Sequence, residues 1–120
     1  MKVVVTGAGR TLESPVDPRF GRAQCFVLID SETGDFSAHD NTQNLNAVQG
    51  AGIQAAQTVV ELGAEVLVTG NVGPKAFATL QAGNVTTYTG ATGTIREAVD
   101  QWRSGKLQAA GKANIQGHWM

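Results

Sequence analysis

Apolar positions along the chain come first as unbroken β-branched runs and later at helical spacing, with glycines punctuating the changes. Lys2 to Thr6 (KVVVT) is a continuous β-branched run that ends at Gly7 and predicts a strand. Gln24 to Asp30 (QCFVLID) predicts a second strand, Ser31–Asp35 a hairpin turn, and the weakly alternating Phe36 to Asp40 an antiparallel edge strand. An amide-rich stretch, NTQNLNAVQGAG, then reads as a loop. From Ile53 the polar residues Gln54, Gln57, Thr58 and Glu61 recur at i, i+3, i+4 and i+7, which predicts an amphipathic helix ending at Gly63. Glu65 to Thr69 is the fourth strand, and Pro74 opens a second helix whose Ala76, Phe77 and Leu80 share a face before Gly83 stops it. Val85 to Thr89 is the fifth strand. Thr94 and Glu97 have capping-box spacing, and Ile95, Ala98, Val99 and Trp102 supply the buried face of a third helix ending at Gly105. The remainder, KLQAAGKANIQGHWM, shows no clear period.

The order βββαβαβα combines one antiparallel hairpin with right-handed helical crossovers, which place helices on both faces of the sheet. The expected fold is therefore α/β: a three-layer α/β/α sandwich on a five-stranded mixed sheet. Residues 1–108 form a single domain and residues 109–120 a C-terminal tail. The first, fourth and fifth strands should run parallel, so their carboxyl ends share one edge.

Composition narrows the setting. The 120 residues carry 9 basic and 10 acidic side chains for a net charge of −1, and this balance, with no basic stripe, argues against a nucleic-acid partner. The apolar run of the N-terminus is too short for a signal peptide, and no window reaches the length of a membrane span. With its single cysteine, Cys25, the chain points to a reducing compartment and a cytoplasmic location. Gly is the anomaly, with 15 residues.

Some of these glycines fall into a repeated pattern. The three strands expected to be parallel end alike: Val5-Thr6-Gly7-Ala8-Gly9, Val68-Thr69-Gly70-Asn71-Val72-Gly73 and Tyr88-Thr89-Gly90-Ala91-Thr92-Gly93. In open α/β sheets ligands bind outside the carboxyl ends of parallel strands, where Gly lets backbone N–H groups approach a bound group. Three such loops on one edge would make an anion-binding rim; the alternative is that each Gly serves only a tight strand-to-helix turn. The long irregular segment after the first strand adds Arg10, Arg19 and Arg22, whose planar guanidinium groups suit bidentate contact with an anion or a surface ion pair.

Within that segment Asp17-Pro18-Arg19-Phe20-Gly21-Arg22 resembles the DxRFGR signature of the dinitrogenase iron–molybdenum cofactor biosynthesis family. The likeness continues through Asn44, Gly50-Ala51-Gly52-Ile53, Val68-Thr69-Gly70-Asn71-Val72-Gly73 and Gly105-Lys106-Leu107, and so covers nearly the whole chain. The resemblance implies a ribonuclease-H-like α/β fold and the carriage or assembly of metal–sulfur cofactors. The chain length and the Gly-His-Trp-Met ending resemble the short stand-alone members, which hold a molybdenum–copper sulfide cluster without a covalent link. On this reading the expected cargo is that cluster or a related molybdenum or iron–sulfur cluster, held by Gly7, Ala8, Gly9, Arg10, Arg19, Phe20, Gly21, Arg22, Asn44, Thr69, Gly70, Asn71, Gly73, Thr89 and Gly90. A cluster-assembly or acceptor protein would be the partner.

The residue inventory supports noncovalent holding. One Cys, two His and two Met cannot supply the four thiolates of an ordinary iron–sulfur centre. A preassembled anionic thiometalate brings its own sulfides, so N–H donors, arginines and an apolar wall suffice. His118 is the candidate direct metal ligand; His39 reads as a strand side chain, and Cys25 as a small core residue pointing away from the far edge of the sheet. A nuclease would need clustered carboxylates, and KVVVT has none. A nucleotide site would need a GxxxxGK[ST] or GxGxxG loop, and neither is present. The expectation is a carrier rather than an enzyme; a phosphate-binding or protein-interaction module on the same rim is the alternative.

Overall fold

The computed structural model describes residues 1–41 and 51–111. The elements run β1 (Lys2–Gly7), β2 (Cys25–Asp30), β3 (Phe36–Asp40), α1 (Ala51–Glu61), β4 (Val66–Val68), α2 (Pro74–Ala82), β5 (Thr86–Thr89), α3 (Ile95–Arg103) and β6 (Gln108–Ala109). The sheet order is β3-β2-β1-β4-β5-β6. β1, β4 and β5 are parallel, β2 lies antiparallel to β1, and β3 antiparallel to β2. This is the mixed, ribonuclease-H-like sheet that the pattern and the resemblance imply.

Strand periodicity divides the core into two layers, because successive side chains point to opposite faces. Val4, Phe26 and Leu67 face the layer of Ala55, Ala56 and Val59 on α1 and Ala76 and Leu80 on α2. Val3, Val5, Val27, Val66 and Val68 face Ile95, Ala98 and Val99 on α3. Since helices cover both faces, β1 needs no polar alternation, and residues 3–7 are all buried. The capping box of α3 forms as expected: Thr94 Oγ1 accepts from Glu97 N–H at 3.1 Å, and the Glu97 carboxylate accepts from Thr94 N–H at 2.9 Å.

The sheet has six strands rather than five. The addition, β6, is two exposed residues paired antiparallel to β5, and so short an edge strand carries no alternation to read. Helix α1 starts at Ala51, ahead of the expected Ile53, because the Gly52 position already lies on helical backbone. Among the described residues no helix is long and apolar enough to cross a membrane.

Candidate functional site

The three Thr-Gly loops do lie along one edge of the sheet, but the chain's own segment crosses that edge. Asp17 N–H donates to Thr6 O at 3.0 Å, Val16 N–H to Gly93 O at 2.9 Å, and Asn71 N–H to Pro18 O at 2.9 Å. Residues 15–20 thus form a strap over the ends of β1, β4 and β5. Beneath it Thr6 Oγ1 donates to Asp17 O at 2.7 Å and lies 2.8 Å from Thr69 Oγ1. Having spent its single proton on Asp17, the Thr6 hydroxyl must accept from Thr69.

This packing engages three of the amides that an anion rim would use. Ala8 N–H donates to Pro15 O, Gly90 N–H to Gly70 O, and Ala91 N–H to Thr69 O. Gly7 and Gly70 serve close approach within the fold: a Cβ on Gly7 would lie 2.7 Å from Gly9 O, and one on Gly70 2.6 Å from Pro18 Cα. Gly9 packs on Ser14, and Gly90 holds a turn at φ +87°. Thr89 is half-buried on β5 beside it. Of the residues expected at the rim, Gly7, Ala8 and Gly70 lie against the strap and Thr69 beneath it, while Gly9 lies on Ser14 and Thr89 and Gly90 at the end of β5.

Arg10 is also engaged elsewhere, in an ion pair with Asp40 and a 3.2 Å hydrogen bond to Ala38 O on β3. Arg22 is half-buried and does not line the cleft described next. Asn44 and His118 lie outside the described residues.

Beside the strap opens a cleft of about 680 Å³, where Arg19, Phe20 and Gly21 face the first turns of α1 (Gly52, Ile53) and α2 (Pro74, Lys75, Ala76) across Asn71, Val72 and Gly73. Five residues expected at the site, Arg19, Phe20, Gly21, Asn71 and Gly73, are brought together here. Arg19 is set in place by Asp17, whose buried carboxylate accepts from Arg19 N–H at 3.0 Å and lies 3.5 Å from Arg19 Nε. The strap continues along Asn71, with Phe20 N–H donating to Asn71 O at 3.4 Å. Asn41 steadies the next stretch, its side-chain amide donating to Ala23 O at 2.9 Å.

The cleft is electropositive for three reasons. Lys75 and Arg19 bring positive charge, that of Arg19 partly answered by Asp17; among the described residues no carboxylate lines the cleft; and the first turns of α1 and α2, which hold no acidic residue, direct their positive dipole ends there. Gly73 is the N-cap of α2 and offers no side-chain cap, so the first-turn amides are not spent on one. Its floor is apolar: Phe20, Val72 and Ala76 are 2%, 2% and 4% exposed.

Sequence reasoning missed Lys75, Ile53, Val72, Ala76 and the supporting Asn41. Lys75 had a usable signal, since it follows the Thr-Gly-Asn-Val-Gly loop immediately after the helix-opening Pro74. Cys25 is buried as expected, but at the rim edge and not away from it: β2 is antiparallel to β1, so Cys25 pairs with Gly7. Its thiol donates to Gly9 O, and burial pushes its pKa up despite the opposing Arg10 charge. His39 sits on the edge strand, 2.9 Å from Ser37 Oγ. Among the described residues no three His, Cys, Asp or Glu side chains cluster to hold a metal ion.

These features define a class: a small mixed-sheet α/β/α domain with a cationic, apolar-floored cleft beside its sheet edge. The chain belongs to the dinitrogenase iron-molybdenum cofactor family, which matches it over residues 1–105. The apo form of the orange protein (ORP) from Desulfovibrio gigas is similar with a TM-score of 0.89 and 41% identity, over 92% of each chain. A Thermotoga protein of the DUF35 family, solved by NMR, is similar with a TM-score of 0.78 and 36% identity, over 90% of this chain and 91% of that one. The uncharacterized protein MJ0580 of Methanocaldococcus jannaschii is 26% identical over 95 residues, 78% of this chain and 80% of its own.

Proposed function

We propose that the chain is a noncatalytic carrier that receives an anionic metal–sulfur cluster, without a covalent link, in the cleft between the strap and the first turns of α1 and α2. The observation that carries this reading is the cleft itself, where Arg19 and Lys75 stand over an apolar floor with no lining carboxylate among the described residues. Membership of the iron-molybdenum cofactor family and likeness to the orange protein support a molybdenum-containing guest, with the molybdenum–copper sulfide cluster as the specific candidate. The cluster is cargo, delivered by an assembly protein or passed to an acceptor, and brings its own sulfides. The protein supplies charge, amide donors and contact area.

The test is titration of tetrathiomolybdate with copper into the protein, followed by charge-transfer absorption. Arg19 and Lys75 are exposed, so their contribution is screened, and Arg19→Ala/Lys75→Ala should weaken binding by about tenfold. Arg10→Ala/Arg22→Ala should change it by no more than about threefold, because neither side chain lines the cleft. The reverse ranking in folded variants would return the guest to the sheet edge and refute the cleft.

A further inference from the structure

Resting on that reading, we infer that the cleft selects its guest by hydration: it admits large, polarisable, weakly hydrated anions and turns away strongly hydrated oxyanions of equal charge. Three observations carry this. The first is the floor, since Phe20, Val72 and Ala76 are almost wholly buried and offer no hydrogen bond. The second is the lining among the described residues, in which no hydroxyl, imidazole or indole donor appears and Arg19, Asn71 and Lys75 are the polar side chains.

The third is the strap side of the cleft and the start of α2, where several backbone donors are missing or already committed within the fold. Pro74, the first residue of α2, has no N–H. The Asn71 N–H is spent on Pro18 O and the Phe20 N–H on Asn71 O. An oxyanion entering here would surrender water from several strong acceptor oxygens; the first-turn amides of α2 with Arg19, Asn71 and Lys75 can meet those on one side, and the acceptors turned to the floor are left unmet against carbon. Sulfide ligands are weak acceptors and polarisable, so a thiometalate loses little hydration and gains dispersion contact with the same wall. The exposed charges of Arg19 and Lys75 attract either anion equally, so the wall decides.

A consequence for order follows. Exchange of oxo for sulfido ligands on the metal, each oxo leaving as water while hydrogen sulfide enters, belongs before loading and not after it.

The experiment is an amide NMR titration of the full chain at constant ionic strength with tetrathiomolybdate, molybdate, perrhenate and sulfate, following Gly52, Gly73, Lys75 and Ala76. Tetrathiomolybdate, and perrhenate as a sulfur-free but weakly hydrated anion, should shift these amides at concentrations about 30-fold below molybdate and sulfate, the factor one unmet hydrogen bond is worth. In Ile53→Thr, which adds a hydroxyl at the half-buried edge of the cleft, the ratio should narrow. Equal potency of tetrathiomolybdate and molybdate at the cleft would overturn hydration selection while leaving the cleft as the site. Binding of tetrathiomolybdate without perrhenate would overturn it in favour of recognition of sulfur itself. No shift of these amides with any of the four would refute the underlying site, not the selectivity.

Discussion

Replacing Gly70 by Ala tests whether residues 15–20 are a fixed part of the fold. A Cβ at Gly70 would lie 2.6 Å from Pro18 Cα, 2.7 Å from Pro18 O and 2.8 Å from Pro18 Cβ, all closer than real contacts allow. The strap cannot simply retreat, since Asp17 N–H is bonded to Thr6 O at 3.0 Å and Asn71 N–H to Pro18 O at 2.9 Å. Overpacking of this kind costs about 1–3 kcal/mol, and a broken strap hydrogen bond about 1 kcal/mol more. The reduced freedom of the unfolded Ala chain gives back about 0.4–1 kcal/mol. The net loss of about 2–3 kcal/mol lowers Tm by about 8–12 °C for a domain of this size. Gly73→Ala is the control. Gly73 has φ −81°, and its Cβ would meet nothing within 4 Å. The cost of Ala at an N-cap and the gain in the unfolded state nearly cancel, so its Tm should stay within about 2 °C of wild type. Thermal unfolding followed by circular dichroism decides: a Gly70→Ala Tm within 2 °C of wild type, or equal losses in both variants, would refute the strap.

Four further outcomes are expected. Cys25→Ser should retain the cargo, because Cys25 does not line the cleft, and metal analysis after desalting checks it. Burial raises the Cys25 pKa above its ordinary 9.0, so the folded state holds its proton more tightly; that stabilisation is complete below pH 9.0 and lost as pH rises through the raised value. Denaturation of wild type should therefore become easier relative to Cys25→Ser on going from neutral pH to pH above about 9. Asp30 should titrate below its ordinary 3.8, because the Glu32 and Thr33 amides donate to its carboxylate; its contribution is present above 3.8 and lost as pH falls through the lowered value, as carboxyl NMR shifts would report. Thr94→Ala removes the acceptor for the Glu97 amide and should cost about 1 kcal/mol in chemical denaturation.

The strands and helices were legible because their signals are local. β-branched runs and the Thr94–Glu97 spacing depend on neighbours within a few residues, and strand pairing then follows from right-handed crossovers. The site was legible only in part. Arg19, Phe20, Gly21, Asn71 and Gly73 stood out by residue type, but whether the Thr-Gly loops face a guest or the protein depends on where residues 15–20 fold back. Those residues have no period, and the deciding contact, Gly70 against Pro18, joins positions far apart in the chain. Lys75 escaped notice because its surroundings read fully as a helix start. The placement of Cys25 was within reach, since an antiparallel second strand must begin where the first one ends.

On the proposed reading, the strap divides labour between residues that keep the structure and residues that would receive a guest. Thr6, Asp17, Thr69 and Gly70 close the sheet edge, while Arg19 and Lys75 project into the cleft and hold no part of the buried core. Cargo specificity can consequently drift, or be redesigned, at exposed positions without a toll on folding. Lineages that exchange one guest for another need alter only the cleft's surface chemistry, and the scaffold beneath can be inherited unchanged.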